Sequence, residues 1–146
     1  MTHTTTRHSP KALVALHRRW PVMLAIGVVV LGYRDLPPWT PSGFETYLLP
    51  SIALAYLVIG ALRHELDGPR VVAVETAGVV LFGGITALAL AVDPAVGQYL
   101  VAAGLAGHAL WDLAHLRTGR VVPHAFAEFC VVFDLLVAAA LIAAAV

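Results

Sequence analysis

Residues 71–92 read VVAVETAGVVLFGGITALALAV, a run of 22 residues from Val71 to Val92 with one charge, Glu75. A bilayer's hydrocarbon core is about 30 Å thick, and a helix rising about 1.5 Å per residue crosses it with about 20 apolar residues. The run has that length. It is bounded by Gly68-Pro69-Arg70 before and Asp93-Pro94 after, turn and capping residues that stop one helix and start the next. Working outward, comparable runs occupy 46–62, 95–116 and 123–146, the last opened by Pro123. A fifth, shorter run ends at Tyr33 and reaches a spanning length only if its helix begins near residue 15. A signal peptide competes for that segment because Arg18 and Arg19 precede it, but no small-x-small cleavage site follows. The expectation is an all-α, polytopic transmembrane helical bundle of about five spans (15–33, 46–62, 71–92, 95–116, 123–146). It forms a single membrane domain over 1–146, with residues 1–12 as a flexible cytoplasmic tail.

Composition agrees. Of 146 residues, 60% are hydrophobic and 12% charged, against roughly 45–50% apolar and about 25% charged in soluble domains. A soluble core of this size could not hide so much apolar surface. A net charge of +0 supplies no basic footprint for nucleic acid, and a lone cysteine, Cys130, cannot form an intramolecular disulfide. Positive charge sets the expected orientation. Arg7, Lys11, Arg18, Arg19, Arg63, Arg70, Arg117 and Arg120 fall on one side of the five runs and only Arg34 on the other. This predicts a protein of the plasma (inner) membrane with a cytoplasmic N-terminus and an external C-terminus. The loop from Arg34 to Glu45, with Pro37, Pro38, Trp39, Pro41 and Phe44, has the composition of an interfacial segment.

Ionisable groups inside a span cost about 2.5–3.5 kcal/mol each at the helix centre, so each needs a partner or a purpose. Glu75, Asp112 and Glu128 fall four or five residues inside their helices from the cytoplasmic end, with Glu65 and His115 nearer that surface and His108 deeper. This shared depth predicts one cavity open to the cytoplasm. His108, Asp112 and His115 stand at i, i+4 and i+7, on one helix face. Continued outward, that face carries Gly104, Val101 and Gly97, small enough for neighbouring helices to approach closely. Glu75, Gly78, Val79, Phe82 and Thr86 form a similar stripe. Cys130 and Asp134 share a face, with Glu128 about 120° from Asp134 at about 100° per residue.

Two imidazoles and a carboxylate on one face, with more carboxylates on adjacent helices, resemble the way bundles build metal sites. A divalent metal such as zinc would take His108, Asp112 and His115 as ligands, leaving Glu75 or Glu128 as general base. Glu65, Trp111 and Asp134 complete the expected polar cavity. The competing structural reading pairs Glu65, Glu75 and Glu128 with the arginines of the cytoplasmic rim, leaves Asp112 to orient a histidine, and makes Trp111 a packing anchor.

From Gly107 to Asp134 the pattern Gly-His-x-x-Trp-Asp-x-x-His, a short basic turn ending in Pro123, then Phe129-Cys130 and Asp134, resembles a group of small bacterial multi-pass membrane proteins of uncharacterised function. The resemblance covers about a fifth of the chain and implies an integral membrane location without implying an activity. Members of that group often carry a second histidine where this chain has Leu116. Asp112-x-x-His115 is also superficially similar to membrane hydrolases of the ceramidase and progestin-receptor type, which have seven helices and a further His-x-x-x-His pair that this chain lacks.

Three function classes follow. One is a metal-dependent enzyme acting on a lipid-like molecule that enters sideways from the bilayer. Another is a proton- or cation-coupled transporter or channel subunit, in which Glu75, Asp112, Glu128 and Asp134 carry the ion; five spans are few for a monomer, so this class implies a homo-oligomer. The third is a non-catalytic accessory protein whose polar residues specify helix packing. Haem would need an axial partner for His115 from another helix, with His64 and His124 as the available residues.

Overall fold

The computed structural model describes residues 19–34 and 39–146, and every regular element among them is helical. α1 spans Trp20–Tyr33, α2 Phe44–Leu62, α3 Pro69–Ala91, α4 Pro94–Thr118 and α5 His124–Ala144. The expected all-α bundle is the fold observed. The tail at 1–12, the start of the first expected span and Pro37 and Pro38 of the first loop lie outside the described residues.

Five helices do not make five equal spans. α2, α3 and α5 are long and apolar enough to cross a membrane. α1 has 14 residues, short of a crossing. α4 has the length, at 25 residues, but carries Gln98, His108, Asp112, His115 and Arg117 and is not among the three. Packing explains this composition. α4 lies against α2, α3 and α5, while α1 rests on α5. As the central helix, α4 turns Gln98, His108, Asp112 and His115 toward other helices, where partners exist, and leaves Arg117 exposed at its end.

The helix ends follow their sequences. Asp93 caps α4 by accepting from the Ala95 N–H at 2.9 Å, and Gly119 ends it in the left-handed conformation, its N–H bonding the His115 carbonyl. α2 ends in a Schellman turn. The Glu65 N–H reaches the Gly60 carbonyl and the His64 N–H the Ala61 carbonyl, with His64 at φ 55, where glycine is usual.

Pro50 interrupts α2 from within. It has no N–H for the Thr46 carbonyl one turn back, and the Thr86 hydroxyl of α3 supplies that hydrogen bond at 3.0 Å. A helix defect is thereby converted into an inter-helix bond. At the far end of α5, the Gln98 side-chain amide donates to the Leu141 carbonyl at 2.8 Å, satisfying one of the carbonyls a helix C-terminus leaves open. α3 and α4 also close tightly at their shared turn, because a Cβ on Gly97 would stand 2.5 Å from the Ala89 carbonyl oxygen.

Leu49, Ala53, Phe82, Val101, Leu105, Phe133, Val137 and Leu141 form the main core. A second cluster of Tyr56, Val121, Val122 and Ala127 closes the end where α2 stops and α5 begins. Val80, Leu81, Leu110 and Leu135 point outward.

Candidate functional site

Asp134 lies ten residues past the start of α5 and His108 ten residues before the end of α4. These neighbouring antiparallel helices thus carry both residues at one level. His108, Asp112 and Asp134 are fully buried. The His108 Nδ1 stands 2.9 Å from Asp134 Oδ2 and 3.2 Å from Asp112 Oδ1. From α2, the Tyr56 hydroxyl donates to the same Asp112 oxygen at 2.5 Å. The ring of Phe82 on α3 meets His108 edge-on, its centroid 4.8 Å away, and closes the site from the fourth side.

Hydrogen-bond accounting exposes an imbalance. With two carboxylates before it, the His108 Nδ1 carries a hydrogen. His108 Nε2, Asp112 Oδ2 and Asp134 Oδ1 are buried and have no partner among the described residues. No arginine or lysine among those residues pairs with either aspartate. With both aspartates ionised, even a doubly protonated histidine leaves a buried net negative charge, which is costly without compensation. An added proton or a cation removes that deficit.

The donor set fits a cation. One ligand atom from each of His108, Asp112 and Asp134 lies within 4.8 Å of the others. An ion bound through His108 Nδ1 would displace the hydrogen that nitrogen now donates; the 2.9 and 3.2 Å separations to the carboxylates are then near the about 3.3 Å between ligands held at about 2.0 Å around a tetrahedral zinc ion. One imidazole with two carboxylates suits hard-to-borderline divalent ions and disfavours soft ones such as Cu(I).

A second pair lies toward the end of α4. The His115 Nδ1 faces the Trp111 carbonyl at 2.9 Å. A carbonyl only accepts, so this nitrogen donates and the other, Nε2, meets Glu75 Oε1 at 2.9 Å. One proton is therefore shared between Nε2 and the carboxylate, and the pair is neutral wherever that proton sits. Tyr56 joins the two centres: its hydroxyl is on Asp112, and its ring centroid lies 4.8 Å from that of His115.

Of the expected ligands His108, Asp112 and His115, the first two lie together, and the third potential donor beside them is Asp134. His115 is engaged by Glu75, because α5 presents Asp134 at the level of His108 while His115 stands two turns further along α4. Glu75 does join the cluster, buried and bonded to His115. Glu128 does not: it lies 3.9 Å from Arg19 at the edge of the bundle, on the other side of α5 from the buried Cys130 and Asp134. Glu65 is 3.6 Å from Arg63, also outside the centre. Trp111 packs over Gly78, where a Cβ would come within 2.9 Å of its ring, and edge-on to Phe82. Sequence reasoning missed Tyr56. Its signal was a phenol in the middle of an apolar run, which needs a buried hydrogen-bond partner.

A groove of about 470 Å³ opens beside the second pair, lined by Arg70, Val71, Val74, Glu75, Ala114, His115, Thr118, Arg120 and Val121. The fully buried triad does not line it.

Comparison with protein families, with characterised proteins and with solved structures finds no match to this chain.

Proposed function

We propose that the chain is an integral membrane protein built around an enclosed divalent-cation site on His108, Asp112 and Asp134. The observation that carries this reading is the buried donor set at the triad: one imidazole and two carboxylates with ligand atoms within 4.8 Å of one another, and one polar atom of each residue without a partner. The three long apolar helices and the outward apolar side chains support the membrane location. The arginine distribution supports a cytoplasmic N-terminus. The fourth and first helices then complete the bundle, α4 shielded by its neighbours and the shorter α1 resting on α5.

A sealed site favours holding or passing a cation over presenting a metal to a substrate. Acid–base chemistry on a lipid-like molecule, if the protein performs it, belongs to the Glu75–His115 pair, the ionisable pair that lines the groove. Proton passage is the second reading, favoured by the Tyr56 link between that pair and the triad.

Elemental analysis of protein extracted from membranes tests the proposal. One equivalent of a divalent metal is expected, with chelator lowering the unfolding temperature of the wild type, because a ligand that binds only the folded state stabilises it. Asp134→Asn and His108→Ala should bind no metal and be insensitive to chelator. Metal-free wild type indifferent to chelator would overturn the cation reading. Flux measurements on Glu75→Gln in sealed vesicles would then test proton passage. Protein recovered in the aqueous fraction would overturn the membrane reading.

A further inference from the structure

The groove at the start of α3 and the end of α4 has two features the cation site does not use. Its polar rim is Arg70 and Arg120, both exposed, and neither side chain is in an ion pair or hydrogen bond with another described residue. Its floor is Glu75, only 3% exposed, with Oε1 on His115 and Oε2 without a partner. Between them run the apolar surfaces of Val71, Val74 and Ala114. A volume of about 470 Å³ falls within the roughly 300–1,000 Å³ of small-molecule sites.

The rim and the walls constrain the occupant. Two unpaired guanidinium groups match a phosphate, which arginine binds through paired N–H donors. Glu75 Oε2 is enclosed beneath the groove at the depth of its apolar walls, so it does not face the headgroup of an occupant held at the rim. The apolar walls call for acyl chain. We propose that this groove binds an anionic phospholipid. Its phosphate lies on Arg70 and Arg120, and an acyl chain runs along Val71, Val74 and Ala114. The inference rests on the membrane location proposed above but not on the cation site, and selectivity among lipids tests it separately from membrane extraction.

Native mass spectrometry of the full chain in detergent, titrated with phosphatidylglycerol, phosphatidylcholine and glycerol phosphate, decides it. Phosphatidylglycerol should bind on the order of tenfold more tightly than phosphatidylcholine, consistent with two basic contacts to an anionic lipid. Glycerol phosphate, lacking acyl chains, should bind more weakly than phosphatidylglycerol. Arg70→Gln/Arg120→Gln and the groove-filling Ala114→Phe should each lose about that tenfold preference, whereas Arg117→Gln, outside the groove, should keep it. Lipid-free unfolding temperatures close to wild type would show that these variants fold. Ala114→Phe is judged together with the arginine variant, whose substituted side chains are exposed. Equal affinity for the two lipids, equal affinity for glycerol phosphate, or a preference that survives the double arginine substitution would overturn the proposal.

Discussion

The Tyr56 hydroxyl of α2 donates to the Asp112 carboxylate of α4 at 2.5 Å, with both side chains fully buried. Asp112 Oδ1 therefore has two neighbours, Tyr56 and His108, and removing the phenol leaves it with one. Tyr56→Phe keeps the ring against His115 and Phe126 while deleting the donor. It should lower stability by about 1–3 kcal/mol, the loss of one hydrogen bond to a buried carboxyl group that keeps His108 as its other neighbour. Combined with Asp112→Asn, the loss should be smaller than the sum of the single losses, since the two substitutions remove the same interaction. Reversible unfolding in mixed micelles measures both, and strict additivity would place the energetic weight elsewhere.

The bond between the Thr86 hydroxyl and the Thr46 carbonyl exists because Pro50 has no N–H to give. Thr86→Val should therefore cost about 1–3 kcal/mol by stranding a buried carbonyl. The informative variant is the combination with Pro50→Ala, which restores a backbone donor one turn along α2. In that background Thr86→Val should cost clearly less. Equal costs in the two backgrounds, in a double-mutant cycle read by thermal unfolding, would mean that the proline defect is not what the threonine repairs.

The two faces of the chain's polar chemistry were unequally legible in its sequence. Glu75, Gly78, Phe82 and Thr86 follow the helical period along the quoted run, and all are buried in α3 as that spacing implies. Gly97, Val101, Gly104, His108 and Asp112 do the same in α4. Period locates a face on its own helix, but it does not say which residues from other helices meet that face. Asp134, and not His115, stands beside His108 because of the relative height of α4 and α5, a property of their packing. Tyr56 was hidden for the same reason, its partner lying 56 residues away. Glu128 shares the depth of Glu75 and Asp112 but stands about 120° from Asp134 around α5, and neither depth nor that angle says which of the two carboxylates faces the centre.

The Glu75–His115 pair separates hydrogen bonding from charge. His115 gives its Nδ1 hydrogen to the Trp111 carbonyl, so a neutral ring has a free acceptor at Nε2, and the amide of Glu75→Gln can donate to it. That variant should fold within about 1 kcal/mol of wild type, while Glu75→Leu, which leaves Nε2 without a partner, should lose about 1–3 kcal/mol. Glu128→Gln is the control. Its carboxylate meets an exposed Arg19 at 3.9 Å, an arrangement worth about 0–1 kcal/mol. A Glu128→Gln cost equal to that of Glu75→Leu would contradict the assignment of Glu75, rather than Glu128, to the buried centre.

His64 is the residue at which the backbone asks for a different side chain. It sits at φ 55 in the Schellman turn that ends α2, its N–H on the Ala61 carbonyl and the next N–H on Gly60. The side chain is exposed, so burial contributes little there, and the left-handed conformation carries a cost of roughly 1–2 kcal/mol for a residue with a Cβ. Glycine adopts that conformation freely but loses more chain entropy on folding, by about 0.5–1 kcal/mol. The strain relieved exceeds the entropy added, so His64→Gly should raise stability by up to about 1 kcal/mol, whereas His64→Val should lower it, because branching at Cβ worsens the clash. Paired unfolding curves for the two variants provide the check. A His64→Gly protein less stable than wild type would show that the imidazole makes a contact worth more than the strain it imposes.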